Sequence, residues 1–141
     1  MTSHRYKGNC HCGNIQLEFL SARPPSEFRP RSCDCSFCLK HGATYVSDPA
    51  GSLVITVREQ TELNRYRQGS KSAEFLVCKT CGVLAAVMFS EDAGLYAAVN
   101  CRVIEHCVAL GQDMSGSPRL LGAGEKSMRW KALWFADVSI V

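Results

Sequence analysis

Alternating apolar and polar residues predict several short β-strands. In residues 14–20 (NIQLEFL), Ile15, Leu17 and Phe19 fall on one face, which is the period of a strand with one buried side. The β-branched run at residues 53–57 (LVITV) predicts a second strand. Weaker patterns of the same kind predict strands at residues 43–46, 73–77, 83–89 and 95–99.

Turn signals separate these predicted strands, and no segment has the pattern of a long amphipathic helix. Pro, Gly, Asp and Ser cluster between the strands and are typical of turns. They do so at residues 23–25, 48–51, 68–70 and 92–94. The chain up to about residue 110 is therefore predicted to be mainly β, built from short antiparallel strands.

The character of the chain changes after residue 110. Residues 111–127 are rich in Gly and Ser, which predicts a loop. Residues 128–141 are apolar again, and we expect Trp130, Trp134 and Phe135 to dock onto the body. The predicted organisation is a domain of residues 1–110 with a C-terminal segment of residues 111–141 docked on it.

Length and composition are those of one globular domain. The chain has 141 residues, of which 46% are hydrophobic and 21% charged. The net charge of +3 suits a small anionic ligand, whereas the lack of a Lys/Arg run argues against a nucleic-acid tail. The N-terminus has no apolar stretch, and the longest apolar run, residues 83–89, is too short to span a bilayer. We expect a soluble cytoplasmic protein with no membrane contact.

Nine cysteines are a large excess for this length. The odd count and the absence of a signal peptide argue against a disulfide framework, and cysteines one residue apart are poorly placed to bridge each other. Clustered thiols in a reducing compartment indicate a metal site.

Two cysteine pairs predict a closed structural zinc site. Cys78 and Cys81 stand two residues apart before a glycine, a spacing that lets both sulfurs reach one ion. Cys10 and Cys12 lie at strand period, so their side chains leave on the same side. Together these two pairs supply the four thiolates of a structural zinc.

This assignment leaves Cys33, Cys35 and Cys38 as a three-thiolate set. Three protein ligands and a vacant fourth position are typical of a catalytic zinc, and an incoming thiol is a natural fourth ligand. Other interpretations stay open on the residues alone. The set could be a closed site completed by His41 or another side chain, or a metal-free buried cluster.

Two other interpretations concern Cys78 and Cys81: one of them could instead join the three-thiolate set, or the pair could exchange disulfides. The remaining cysteines and histidines have no visible partner and are expected to be structural; they are Cys101, Cys107, His4, His11 and His106. Four basic residues could help to bind an anionic ligand near the three-thiolate set, or could form a solvated face; they are Arg29, Arg31, Lys40 and Arg58.

Three motifs in a fixed order carry a family resemblance. G-x-C-x-C-G at residues 8–13, C-x-C-x-x-C at residues 33–38 and C-x-x-C-G at residues 78–82 resemble the glutathione-dependent formaldehyde-activating enzyme family, which includes centromere protein V. The likeness covers roughly residues 5–108. It implies a β-tent-like fold, with mainly antiparallel sheets around a structural zinc.

The resemblance also implies site roles and an activity. Cys10, Cys12, Cys78 and Cys81 match the family's structural zinc ligands, and Cys33, Cys35 and Cys38 match its catalytic zinc set. The family's enzymes are carbon–sulfur lyases, and the founding activity joins glutathione to formaldehyde as S-hydroxymethylglutathione. The implied partner is therefore a small thiol such as glutathione.

The middle motif departs from the family pattern. The family commonly has C-H-C-x-x-C-R, whereas this chain has Asp34 in place of the His and Leu39 in place of the Arg. The nearest basic residue is Lys40, which we expect to contact the thiol ligand. The departure leaves a second hypothesis, a non-catalytic zinc-stabilised protein-interaction module of the centromere protein V type.

Overall fold

The computed structural model describes residues 3–33, 35–67, 73–91, 94–105, 114–116 and 123–141. Within these ranges the chain forms eleven β-strands and two α-helices. In chain order they are β1 (His4–Asn9), β2 (Ile15–Ser21), β3 (Arg31–Cys33), α1 (Ser36–His41), β4 (Thr44–Val46), β5 (Ser52–Val57), β6 (Leu63–Tyr66), β7 (Glu74–Cys78), β8 (Leu84–Glu91), β9 (Gly94–Asn100), β10 (Met114–Gly116), α2 (Ala123–Leu133) and β11 (Asp137–Ile140).

The strands form two sheets, and the fold is mainly β and largely antiparallel, as predicted. The small sheet has the order β1-β2-β5-β11, and the large sheet has the order β10-β3-β4-β9-β8-β7-β6. Two pairings are parallel, β10 with β3 and β11 with β5. Both involve C-terminal strands that the residue pattern did not predict.

The burial of each strand explains its sequence pattern. In β2, Ile15, Leu17 and Phe19 are buried while the residues between them are more exposed, which gives the alternation. Strand β8 lies inside the large sheet and is buried along most of its length. A strand covered on both faces reads as a continuous apolar run, which accounts for VLAAVMF.

Two hydrophobic cores lie on opposite faces of the large sheet. The first fills the space between the sheets and contains Phe19, Phe28 and Phe135. The second lies on the other face, called here the outer face, where Trp130 of α2 and Trp134, the residue after α2, stack on each other at 4.8 Å and contact Phe89. The outer face therefore carries α1 and α2.

One helix, α2, was not predicted from the residue pattern. Helix α2 spans 11 residues, and its first turns fall within the segment predicted as a loop from its Gly and Ser content. Trp130 and Trp134 stabilise it through their packing on the sheet, because tertiary contacts outweigh weak local propensity. The predicted turn at residues 68–70 and most of the predicted loop, residues 111–113 and 117–122, lie outside the described residues.

Among the described residues, neither helix has the length and apolar character needed to cross a membrane.

Candidate metal centres

Four cysteine sulfurs converge at the ends of two strands. Cys10 directly follows β1 of the small sheet, and Cys78 ends β7 of the large sheet. The Sγ atoms of Cys10, Cys12, Cys78 and Cys81 all lie within 4.8 Å of one another. The fold thus brings together the cysteines of the first and last motifs, as predicted from the sequence.

The sulfur separations match a tetrahedral metal site. The Sγ atoms of Cys10 and Cys12 are 3.8 Å apart, and those of Cys12 and Cys78 are 3.5 Å apart. Four sulfurs at a zinc–sulfur distance of about 2.3 Å lie about 3.8 Å from each other, whereas a disulfide needs about 2.0 Å. None of the eight described cysteines forms a disulfide. The group therefore suits a four-thiolate metal and excludes a disulfide in this arrangement.

Backbone hydrogen bonds shape both cysteine turns. The Ile15 amide donates to the Sγ atom of Cys10 at 3.3 Å, and the Cys81 amide donates to the Sγ atom of Cys78 at 3.5 Å. Each turn closes at a glycine with positive φ, 86° at Gly13 and 80° at Gly82. Side chains other than glycine are strained in that region, which explains the glycine that ends each motif.

The four-sulfur group contains one thiol whose pKa is lowered even without a metal, that of Cys81. Burial opposes ionisation of Cys81, but the backbone N–H groups of Cys12 and Val83 outweigh it and lower the pKa of Cys81 to about 6. A metal site needs deprotonated sulfurs, and this turn already favours one thiolate.

Gly8, the first residue of the N-terminal motif, lies where β1 meets the segment after β9. It forms an isolated antiparallel bridge with Ile104, and a Cβ atom there would lie 2.4 Å from the Val103 carbonyl oxygen. The neighbouring Glu105 amide donates to the Lys7 carbonyl at 2.8 Å. Glycine is required because the two backbones touch beside the four-sulfur group.

Three other sulfurs converge where β3 ends and α1 begins. The Sγ atoms of Cys33, Cys35 and Cys38 lie within 4.8 Å of one another. Cys35 is the N-cap of α1, and its sulfur accepts a hydrogen bond from the Cys38 amide at 3.4 Å. The short helix thus turns the chain so that three sulfurs from six consecutive positions face one point.

The three-sulfur group has no further His, Cys, Asp or Glu ligand among the described residues. His41, considered as a fourth ligand, instead places its ring 4.6 Å from that of Phe37 and is exposed. The donor set of three thiolates fits a metal that keeps a position for an external ligand.

Tyr45 contacts this group, and the sequence reasoning missed it. Its hydroxyl oxygen is 3.2 Å from the Sγ atom of Cys38, and only 6% of the residue is exposed. Burial, and then the charge of Cys38, raises the pKa of Tyr45 far above its usual range. The one available signal was a phenol within the predicted strand at residues 43–46 (ATYV).

Of the four basic candidates, Arg31 is the one that is partly buried. Arg31 precedes Cys33 by two residues on β3, and its Nη2 atom donates to the Ser47 hydroxyl at 2.5 Å. Burial, followed by the charges of Arg129 and Arg23, lowers the pKa of Arg31 to about 10.

The other basic candidates are exposed. Arg29 and Lys40 are exposed near the three-sulfur group in sequence. Arg58 is also exposed, and its amide donates to the Asn14 carbonyl in the region of the four-sulfur group. The Arg58 backbone therefore lies beside the N-terminal cysteine motif, and a role for its side chain at the three-cysteine site stays a prediction.

The remaining candidates that the structure describes belong to neither sulfur group. Cys101 is buried in the core between the sheets, His4 lies beside the Tyr6 ring, and His11 is exposed between Cys10 and Cys12. Cys107 and His106 lie outside the described residues.

Comparisons with known proteins show the family and a similar fold. The family model of the glutathione-dependent formaldehyde-activating enzyme matches residues 5–115. A crystal structure of a Rhodobacter sphaeroides protein is similar, with a TM-score of 0.57 and 25% identity, over 77% of this chain and 99% of that one. A comparison with curated proteins gives no significant match. The family match covers most of the chain, all three cysteine motifs included, and the chain belongs to the glutathione-dependent formaldehyde-activating enzyme family.

Proposed function

We propose that the protein is a zinc-dependent carbon–sulfur lyase that acts on an adduct of a glutathione-type thiol, such as S-hydroxymethylglutathione. The observation that carries this proposal is the difference between the two cysteine groups. One offers four sulfurs, and the other offers three with no fourth ligand among the described residues. Family membership supports glutathione and formaldehyde as the kind of substrate.

Cys33, Cys35 and Cys38 would hold the catalytic zinc, and Cys10, Cys12, Cys78 and Cys81 would hold the structural one. At the three-cysteine site, zinc would favour the thiolate form of a bound thiol at neutral pH. The protein's part is to fix the three sulfurs, which the N-cap of α1 does by tying Cys35 to Cys38.

Two basic residues are candidates for the carboxylates of the thiol substrate. Lys40 follows Cys38 by two residues and is exposed on α1. Arg31 lies on the other side of the motif, and its guanidinium has no carboxylate partner within the described ranges. Either charge would attract a carboxylate, and the Arg31 fork would bind it with two hydrogen bonds.

The reaction needs no oxidant or reductant. In the adduct-forming direction a bond forms between the substrate sulfur and the aldehyde carbon, and the thiol proton ends on the former carbonyl oxygen. In the lyase direction the same carbon–sulfur bond breaks, and the proton returns to sulfur. A group that keeps the sulfur as thiolate assists both directions, because the thiolate is the nucleophile and the leaving group.

The test is the rate at which ¹³C-formaldehyde and glutathione exchange with their adduct, followed by NMR exchange spectroscopy. Zinc-loaded protein is expected to accelerate the exchange above the spontaneous rate, and Cys38→Ser to abolish the acceleration. Cys101→Ser is the control, since Cys101 is also buried but lies in neither group. If protein with both sites loaded gives no acceleration with glutathione or with a panel of other thiols and aldehydes, the lyase proposal fails.

The other candidate is the non-catalytic interaction module. Leu39, which replaces the family's arginine, is 65% exposed on α1, and an apolar residue there suits a protein contact better than an anionic ligand. This candidate predicts a second site that is empty or ligated entirely by protein, with no response to added thiol. Leu39→Arg distinguishes the two, since it would raise thiol affinity in an enzyme and change nothing measurable at the metal of a module.

A further inference from the structure

We propose that Tyr45 is a positioning residue that donates a hydrogen bond to the Cys38 thiolate and so controls how strongly that sulfur binds metal. The contact joins the Tyr45 hydroxyl oxygen to the Sγ atom of Cys38 over 3.2 Å. This proposal rests on the proposed function only in that both use the three-sulfur group. The test below measures the spectrum and affinity of the bound metal and needs no enzyme activity.

The direction of the hydrogen bond follows from the chemistry of the two groups. While Cys38 is a thiol, either atom can donate. A metal ligand must be a thiolate, which has no proton to give. The phenol keeps its proton at neutral pH, so Tyr45 is the donor whenever Cys38 binds metal.

Burial explains why a hydroxyl at this position is paired. Tyr45 packs in the outer-face core with Phe75, Leu84 and Ala98. Burying an unpaired hydroxyl costs roughly 1–3 kcal/mol, so an apolar ring would be the stable choice if Cys38 were not there. Cys38 is also the one hydrogen-bond partner of the Tyr45 hydroxyl that the described part of the chain supplies.

The backbone holds both partners in place. Strand β4 is paired on both sides, with Tyr45 opposite Arg31 of β3 and opposite Asn100 of β9. Helix α1 ends at His41 and is capped by Gly42, and the Ala43 amide donates to the Cys38 carbonyl at 3.0 Å. The hydroxyl is therefore aimed at Cys38 by the sheet and not by a mobile loop.

Such a hydrogen bond has two effects on the site. It stabilises the thiolate against the thiol, which favours metal binding. It also draws negative charge from the sulfur, so that Cys38 donates less to a bound metal and reacts more slowly with electrophiles. Hydrogen bonds to metal ligands from neighbouring residues typically account for 10- to 100-fold in metal affinity or activity.

The test compares Tyr45→Phe with the native chain after cobalt(II) substitution. We expect the sulfur-to-cobalt charge-transfer band of one of the two ions to move to longer wavelength, because the Cys38 sulfur becomes more electron-rich. Competition with a chromophoric chelator is expected to show that Tyr45→Phe binds zinc at that site at least about 10-fold more weakly than the native chain does. The four-sulfur site provides an internal reference, since its band is expected to stay unchanged.

Tyr96→Phe is the matched control, because Tyr96 lies on the same sheet face, stacked on Phe89 at 5.1 Å. Unchanged cobalt bands and zinc affinity in Tyr45→Phe, or equal changes in both variants, would overturn the proposal. A shifted band in protein that catalyses no thiol exchange would leave Tyr45's role standing and refute the lyase. Catalysis by native protein together with an unshifted band in Tyr45→Phe would support the lyase and refute the role of Tyr45.

Discussion

The two cysteine groups are built from the same side chain but differ in what each one connects. In the four-sulfur group, Cys12 and Cys78 are 66 residues apart in sequence and lie at the ends of strands that belong to different sheets. In the three-sulfur group, the three sulfurs come from residues 33–38, between the end of β3 and the first turn of α1. The first joins distant parts of the chain, whereas the second organises one short segment.

This difference suggests that the four-sulfur group stabilises the fold, whereas the three-sulfur group serves ligand exchange. A metal that closes a long loop restricts the unfolded chain and adds its binding energy to folding. A metal held by neighbouring residues closes almost no loop, so it contributes little to the fold and is available for an exchangeable ligand. The two groups should therefore respond in opposite ways to substitution and to metal removal.

The largest expected effect comes from Cys12→Ser. Cys12 is exposed, and a surface substitution usually changes the free energy of unfolding by less than about 0.5 kcal/mol. As a ligand of the four-sulfur site, it should instead cost more than about 4 kcal/mol, as loss of a metal does. Thermal and urea unfolding, followed by circular dichroism, measure this cost.

Cys101→Ser is the control for Cys12→Ser. Cys101 is buried, so the new hydroxyl is expected to cost roughly 1–3 kcal/mol. The account thus predicts the unusual order in which the exposed cysteine matters more than the buried one. If Cys12→Ser unfolds like the native protein, the four-sulfur group does not bind a structural metal.

Next in size is the effect of a chelator. Among the described residues the three-sulfur site has one candidate ligand fewer than the four-sulfur site, and we propose that it admits external ligands, so its metal should leave first. We expect thiol-exchange activity to disappear while the circular dichroism spectrum and unfolding temperature stay near those of the loaded protein. Zinc content, activity and spectrum are measured on the same samples over time; simultaneous loss of all three would contradict the separation of the two sites.

The smallest effect concerns the contact between the sheets beside the four-sulfur group. Gly8→Ala would place a Cβ atom against the Val103 carbonyl, and the required backbone shift is expected to cost about 1–3 kcal/mol. Metal affinity at the three-sulfur site should not change. Gly124→Ala in α2, where a Cβ atom would meet nothing within 4 Å, is the control and should stabilise the protein by at most about 1 kcal/mol.

The sequence predicted features whose signal is local or carried by a motif. Ile15, Leu17 and Phe19 alternate because β2 has one buried face, and the cysteine spacings report the turns that hold the sulfurs. The glycines that end the two outer motifs follow from the same turns.

Features that depend on distant contacts could not be predicted. Strand β11 pairs with β5 in parallel, and helix α2 depends on Trp130 and Trp134 finding the outer face of the large sheet. Tyr45 stands seven residues after Cys38 outside any motif, and only the pairing of β4 with β3 and β9 brings its hydroxyl to the sulfur.

The most direct test of two separate metal sites is the zinc content per chain, measured by elemental analysis on native protein and Cys38→Ser, both purified with zinc and without chelator. The account predicts about two ions in the native chain, from one closed and one open thiolate site. It predicts about one ion in Cys38→Ser, with the fold retained. One ion in the native chain, or two in the variant, would contradict it.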